Sequence, residues 1–127
     1  MKVLLIDDEE DIRKIAKLAM EVVGHSQVTA AASASEGIAL AKMNSPDVIL
    51  MDMMMPGMDG LTALAEIQKI PQLANIPILF MTAKVQQIEI NNYLARGAIG
   101  VIQKPFDPMM LCDQICILLN NDPVESN

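Results

Sequence analysis

The chain has few basic residues and no long apolar run. Its 127 residues include nine lysines and arginines against sixteen acids, for a net charge of −7 and a pI near 4.5. Nucleic-acid binding needs clustered positive charge, so we expect no nucleic-acid partner. The first apolar run, Val3–Ile6, is shorter than a signal-peptide core, and no stretch approaches the length of a membrane span. We therefore predict a cytoplasmic protein without a membrane partner.

Cysteine is also scarce. Cys112 and Cys116 lie four residues apart on a predicted helix, and neither another cysteine nor a well-spaced histidine supports a metal or redox site. We interpret both as small core residues in a reducing compartment. The length suits one domain that needs no disulfide to hold its core together. We expect this domain to span residues 1–121, followed by a frayed tail over 122–127.

Apolar runs alternate with helix-period patterns five times along the chain. The runs are short and nearly continuous, which is typical of strands covered on both faces. The expected strands are Val3–Ile6, Val28–Ala31, Asp47–Met51, Ile78–Met81 and Gly100–Gln103. This alternation predicts an α/β fold, in which right-handed crossovers join parallel strands and helices cover both faces of the sheet.

The helices have recognisable beginnings and ends. The first helix should stop at Gly24, and its apolar residues are Ile12, Ile15, Ala16, Ala19, Val22 and Val23. The second should begin with a capping box of Ser33 and Glu36 and end near Asn44. The third should bury Leu61, Leu64 and Ile67.

The last two helices follow the fourth and fifth strands. The fourth helix should run from Gln87 to Ala95 and stop at Gly97. The fifth should start at Asp107 and Pro108 and run to about Asn120.

Five polar residues stand at the ends of the predicted strands: Asp7, Asp8, Asp52, Thr82 and Lys104. Ligands of an open parallel sheet bind beyond the carboxyl ends of its strands, so we expect these side chains to meet there. Neighbouring carboxylates repel unless a cation offsets them, and Mg²⁺ prefers oxygen ligands. A carboxylate can also attack a phosphoryl group and form an acyl phosphate if positive charge stabilises the transferring oxygens.

Each of these residues also has a plainer explanation by itself. Asp7 and Asp8 would belong to an acidic run, 7–11, that caps the first helix. We expect residues 9–11 of that run to act as the cap. Asp52 would form a turn, Thr82 would cap a helix, and Lys104 would be a surface charge. These explanations do not account for the common position at strand ends. We therefore favour a site for a divalent cation and phosphoryl chemistry.

The chain resembles the receiver domain of bacterial two-component response regulators over nearly its whole length. The matching segments are Val3–Asp8, Asp47–Asp52 with Pro46 before it, Met55–Gly60, Ile78–Ala83, Gly97 with Ala98, and Lys104 with Pro105 and Phe106. The resemblance implies a doubly wound, five-stranded parallel sheet of order 2-1-3-4-5, as in flavodoxin-like and CheY-like folds.

The resemblance also implies a metal site and a phosphoacceptor. Asp52 would accept a phosphoryl group from a phosphohistidine on a sensor histidine kinase or a phosphotransfer protein. Asp8 and Asp52 would bind Mg²⁺ directly and Asp7 through water, and the backbone carbonyl of Met54 would be a further ligand. Mn²⁺ would substitute for Mg²⁺.

Signalling in such a domain follows from the phosphoryl group and not from turnover of a substrate, so we expect no classical enzyme. Thr82 and Lys104 would contact the phosphoryl group, and the peptide bond between Lys104 and Pro105 would be cis. The output would be phosphorylation-dependent contact with a downstream protein, through the fourth helix, fifth strand and fifth helix, or relay of the phosphoryl group.

The chain departs from the family at the residue three before the lysine, where Val101 replaces the usual Phe or Tyr. The aromatic switch is thus missing, and movement of Thr82 and the following loop is the expected substitute. Met54 and Lys84 occupy positions that tune hydrolysis of the acyl phosphate in the family. We expect the apolar Met54 to shield the phosphoryl group from water and slow its loss.

Three alternatives are open. A phosphatase of the haloacid dehalogenase type needs a second acid two residues after its nucleophile, where Met54 cannot serve. A pseudo-receiver would bind partners without phosphorylation; the full acidic, hydroxyl and lysine set argues against it, whereas Val101 leaves room for unusual output. The chain would, in the third case, be a receiver domain of a larger protein.

Overall fold

Five strands and five helices alternate in the computed structural model, which describes residues 1–83 and 85–120. The elements are β1 (Lys2–Ile6), α1 (Glu10–Val22), β2 (Gln27–Ala31), α2 (Ala34–Met43), β3 (Val48–Asp52), α3 (Gly60–Gln68), β4 (Ile78–Thr82), α4 (Gln87–Ala95), β5 (Gly100–Gln103) and α5 (Leu111–Asn120). Lys84 and the predicted tail, 122–127, lie outside the described residues. Among those residues no helix has both the length and the apolar character needed to cross a membrane.

The strands form one sheet of order β2-β1-β3-β4-β5, and every neighbouring pair is parallel. Alternate residues of β1 belong to different cores: Leu4 and Ile6 pack in one cluster, and Val3 and Leu5 pack in the other. Side chains of successive strand residues point to opposite faces, so each face of the sheet carries its own core. The predicted doubly wound fold and its strand order are confirmed.

The strands lie within one residue of their predicted bounds, and two of them end on a predicted site residue. β3 includes Asp52 and β4 includes Thr82, and all five residues of each strand are buried. These strands are central and covered on both faces, which explains their continuous apolar runs. Both site residues are therefore held by sheet hydrogen bonding and not by a loop.

Side-chain caps fix the beginnings of two helices. Ser33 Oγ accepts a hydrogen bond from the Glu36 N–H at 3.1 Å, and Glu36 Oε1 accepts one from the Ala32 N–H at 2.7 Å. Asp59 Oδ1 accepts from the Thr62 N–H at 2.8 Å and starts α3. The predicted capping box is present, with its return bond directed to the residue before the N-cap.

The last helix begins three residues after Pro108, its predicted first helical residue. Asp107 does cap a turn, because its Oδ1 accepts from the Met109 N–H at 2.9 Å. The Met110 N–H then bonds to the Asp107 carbonyl at 2.9 Å. This i to i+3 closure is a tighter turn than the α-helical one, and α5 itself begins at Leu111.

The expected stop of α1 at Gly24 is confirmed, since α1 ends at Val22 and Val23 is its C-cap, but the glycine is not in the left-handed conformation. The residue with positive φ is His25, at 54°, and it is exposed. A Cβ at Gly24 would lie 2.6 Å from Sγ of Cys112 and 3.0 Å from the carbonyl oxygen of Met20. Glycine is therefore required at position 24 because α5 approaches closely, and the left-handed turn follows one residue later.

The apolar stripe predicted for α1 is wider than its buried face. Ala16, Ala19 and Met20 are buried, whereas Ile15 and Val22 are largely exposed. Val23, also in the predicted stripe, is 41 % exposed. Only the strip of α1 formed by Ala16, Ala19 and Met20 is therefore covered.

The interpretation of both cysteines as core residues is wrong for one of them. Leu111 and Ile115, one helical turn apart, form the buried face of α5. Cys112 lies at the margin of that face and is half-buried, whereas Cys116 is exposed. Both thiols are free, and burial raises the pKa of Cys112.

Candidate metal and phosphoryl site

Parallel pairing brings the predicted site residues to one edge of the sheet. Asp7 follows β1, and its N–H bonds to the Ala31 carbonyl at 3.1 Å. Asp52 pairs in register with Met81, the residue before Thr82. Lys104 follows β5, and its N–H bonds to the Thr82 carbonyl at 2.9 Å. Backbone hydrogen bonds thus fix the positions of the residues that carry the carboxylates, the hydroxyl and the ammonium of the site.

Three carboxylates meet at this edge. Asp7, Asp8 and Asp52 each offer an oxygen within 4.8 Å of the others. Asp7 is 0 % exposed and Asp52 is 5 % exposed, while Asp8 faces solvent. The cluster therefore joins two buried carboxylates to one that water and solutes can reach.

Lys104 supplies the positive charge of the site. Its Nζ lies 2.9 Å from Asp7 Oδ2 and 3.4 Å from Asp52 Oδ2. A third carboxylate, Glu9 Oε1, lies 3.5 Å from the same ammonium. The Lys104 side chain is only 15 % exposed, so its contacts with the buried Asp7 and Asp52 are screened less than a surface ion pair would be.

The environment shifts the proton affinities of Asp52 and Lys104. Burial, followed by repulsion from Asp7, raises the pKa of Asp52 from 3.8 to about 6, although Lys104 and the Met54 N–H oppose the change. Burial by itself lowers the pKa of Lys104, but the Asp7 and Asp52 carboxylates outweigh it and raise that pKa. At neutral pH Asp52 is therefore an ionised carboxylate of increased basicity beside an ammonium ion.

The residues present fit a divalent cation. Asp7 Oδ2 is buried, and the Lys104 ammonium lies 2.9 Å from it. Three carboxylates also exceed the charge of one ammonium. A hard cation that prefers oxygen ligands would offset the excess negative charge of this cluster. Asp7, Asp8 and Asp52 are thus candidate ligands for Mg²⁺.

Sequence reasoning missed two residues that hold Asp7. The Glu9 N–H donates to Asp7 Oδ1 at 2.9 Å, and Arg13 Nη1 donates to the Asp7 carbonyl at 2.9 Å. Glu9 was expected to cap α1, but its side chain makes no cap hydrogen bond. The adjacency of Glu9 to the two aspartates was a usable signal, whereas nothing in the sequence marked Arg13.

Met54 and Val101 are the positions that distinguish this site. The Met54 N–H donates to Asp52 Oδ1 at 3.3 Å, and the Met54 side chain is 62 % exposed. Val101 is half-buried against the core cluster that contains Phe80 and Tyr93, whose rings meet edge to face at 5.5 Å. The peptide bond between Lys104 and Pro105 is cis, as predicted.

Comparisons with known proteins agree with this architecture. Among solved structures, the chemotaxis response regulator CheY4 of Vibrio cholerae has a TM-score of 0.86 and 31 % identity, with 92 % of this chain and 97 % of that one covered. The Francisella response regulator 1452 receiver domain has a TM-score of 0.83 and 31 % identity, with coverage of 94 % and 97 %.

Curated proteins of similar sequence are longer. The transcriptional regulatory protein YvrH of Bacillus subtilis is 36 % identical over 113 residues, which are 89 % of this chain and 46 % of YvrH. AfsQ1 of Streptomyces coelicolor, also named a transcriptional regulatory protein, is 34 % identical over 123 residues, 97 % of this chain and 53 % of AfsQ1. The chain thus spans about half the length of the curated relatives it matches.

The family comparison covers most of the structure described above. The model of the response regulator receiver domain matches residues 3–116, from β1 into α5. Receiver domains are signalling modules of two-component systems and not classical enzymes. The chain belongs to the response regulator receiver domain family.

Proposed function

We propose that Asp52 accepts a phosphoryl group in a Mg²⁺-dependent reaction and that phosphorylation controls contact with a partner protein. The observation that carries this proposal is the position of Asp52 Oδ2, 3.4 Å from Lys104 Nζ and within a cluster of three carboxylates. An ionised carboxylate in such surroundings is a nucleophile with positive charge already in place.

In the proposed step, an Asp52 carboxylate oxygen attacks the phosphorus of a phosphohistidine. The new bond is O–P, the bond that breaks is N–P, and the histidine nitrogen leaves with the electron pair. Lys104 stabilises the transferring oxygens, and the Thr82 hydroxyl donates to one of them. Mg²⁺, when bound, would neutralise charge on those oxygens. We assign its direct protein ligands to Asp8, Asp52 and the Met54 carbonyl, with Asp7 binding it through water and Mn²⁺ as a substitute.

The phosphoryl donor in this proposal is a sensor histidine kinase or a phosphotransfer protein, and the reaction takes place in the cytoplasm. Output is contact with a downstream protein through α4, β5 and α5, or onward relay. Two large apolar side chains support a docking role for those elements: Ile88 on α4 is 75 % exposed and Ile117 on α5 is 69 % exposed.

The test is intact mass after incubation with acetyl phosphate, with and without Mg²⁺. We expect a single Mg²⁺-dependent phosphoryl adduct on the parent chain and none on Asp52→Asn. Asp113→Asn is the matched control, because it makes the same chemical change at an exposed position on α5. If the parent chain stayed unmodified while another receiver domain was labelled, the pseudo-receiver alternative would replace this proposal.

A further inference from the structure

Glu9 occupies the N-cap position of α1 without acting as a cap. An N-cap side chain ordinarily accepts a hydrogen bond from an amide of the first turn, but the Glu9 side chain makes no such bond. Instead, its carboxylate lies 3.5 Å from Lys104 Nζ, across 95 residues of sequence. Its backbone N–H binds Asp7 Oδ1 at the same time. Glu9 therefore contacts both a candidate metal ligand and the ammonium of the site.

We propose that Glu9 is a positioning residue that holds Lys104 in the unphosphorylated site and yields it to the incoming phosphoryl group. This inference rests on the proposed function of Asp52 and goes beyond it by assigning a competing partner for the lysine. Glu9 is not a catalytic residue, because it acts only through the ammonium.

The three carboxylate partners of Lys104 differ in how much free energy it costs to separate them from the ammonium. The Asp7 side chain is 0 % exposed and that of Asp52 is 7 % exposed, whereas that of Glu9 is 63 % exposed. A buried carboxylate that loses its cation is left without compensation, but an exposed one recovers its hydration. Glu9 is thus the partner that costs least to displace when phosphoryl oxygens arrive.

The contact consequently slows phosphorylation by a small factor. An exposed ion pair is worth little, and its loss changes an equilibrium by roughly twofold to fivefold. Removing the Glu9 charge should raise the initial rate of modification by about that factor, since Lys104 no longer has to leave a competing carboxylate.

The first experiment compares initial rates of acetyl phosphate labelling at saturating Mg²⁺ in four proteins. Glu9→Gln should react about two to five times faster than the parent. Glu10→Gln removes the same charge one residue later, from a side chain paired with Lys14 at 3.6 Å, and should react like the parent. Glu9→Asp keeps the charge but shortens the reach, and should lie between the parent and Glu9→Gln.

Other rate patterns contradict the proposal. An unchanged or slower rate in Glu9→Gln would overturn it, and so would an equal acceleration in Glu10→Gln, which would indicate a general charge effect. A Glu9→Asp rate equal to that of the parent would show that reach is irrelevant and would also overturn it.

A second experiment tests the contact without any phosphoryl group. Urea unfolding in EDTA is measured for the parent, Glu9→Gln, Lys104→Gln and the double variant. We expect a coupling equivalent to a roughly two- to fivefold change in the unfolding equilibrium constant. Additive effects would overturn the proposal. Absence of an adduct on the parent chain would instead refute the proposed function, so the two failures are distinguishable.

Discussion

At the residue scale, the central feature is a carboxylate that burial makes more basic. Asp52 has a pKa near 6 because it is desolvated and faces Asp7. The folded protein without metal thus holds an ionised group at neutral pH at some cost in stability. A cation that binds Asp52, or a phosphoryl group that reacts with it, would relieve this cost in stability.

The pH dependence of stability follows from this pKa. Below about pH 4 Asp52 is protonated in both folded and unfolded chains. Between pH 4 and 6 the folded chain binds more protons, so the contribution of Asp52 to stability falls as the pH rises. The difference between 3.8 and about 6 corresponds to a cost of about 3 kcal/mol above pH 6.

We therefore predict that Asp52→Asn stabilises the metal-free protein at pH 7.5 by up to about 3 kcal/mol. The gain should shrink towards zero near pH 4, because Asp52 is then neutral like asparagine. Urea unfolding in EDTA at several pH values measures it, with Asp113→Asn as the control. A variant that was less stable than the parent at pH 7.5 would contradict a raised pKa of Asp52 in the folded protein.

The side chain of Met54 is expected to control the lifetime of the acyl phosphate. Its backbone lies against Asp52 Oδ1, and its apolar side chain would exclude water from that side, whereas a polar amide would admit it. Met54→Asn should shorten the half-life of the phosphorylated protein several-fold. The half-life is measured from the loss of the mass adduct over time. Met54→Leu, which stays apolar, should keep the parent lifetime. An unchanged or longer half-life in Met54→Asn would rule out shielding.

At the element scale, the ends of helices were the least predictable features. Boundaries that depend on a local side-chain bond, such as the Ser33 cap of α2, could be predicted from sequence. The start of α5 could not, because residues 107–110 form a tighter turn before the helix begins. The need for glycine at position 24 could not be predicted either, because it arises from the nearby side chain of Cys112, which lies far away in sequence.

Gly24→Ala tests that explanation. The new methyl group would overlap Cys112 Sγ, so we expect a loss of stability of about 1–3 kcal/mol, as in other overpacked sites. Adding Cys112→Ala removes the obstructing sulfur and should recover at least half of the loss caused by Gly24→Ala, measured by a double-mutant cycle in urea. No recovery would mean that the backbone of Gly24, and not the contact with α5, makes alanine unfavourable.

At the scale of the whole molecule, the candidate metal site links the ends of β1 and β3. The carboxylates come together only when the sheet is formed. A cation that binds them therefore binds the folded chain in preference to the unfolded one and must stabilise it.

We predict that Mg²⁺ at ten times its dissociation constant stabilises the protein by about 1.4 kcal/mol. The midpoint of thermal unfolding should then rise by roughly 5 °C. Asp8→Asn, which removes the solvent-facing carboxylate of the cluster, should abolish most of this rise, whereas Asp113→Asn should retain it. Equal stabilisation of both variants would show that Mg²⁺ acts elsewhere on this acidic chain.

The sequence by itself determined the order and type of the elements, because continuous apolar runs and helical spacing report burial locally. It also indicated that Asp7, Asp8, Asp52, Thr82 and Lys104 would gather, since the ends of parallel strands share one edge. Tertiary structure alone decided the features that depend on contacts between side chains remote in sequence. It brought Glu9 to Lys104, required glycine at position 24 and set the raised pKa of Asp52, because distances between side chains remote in sequence exist only in the folded chain.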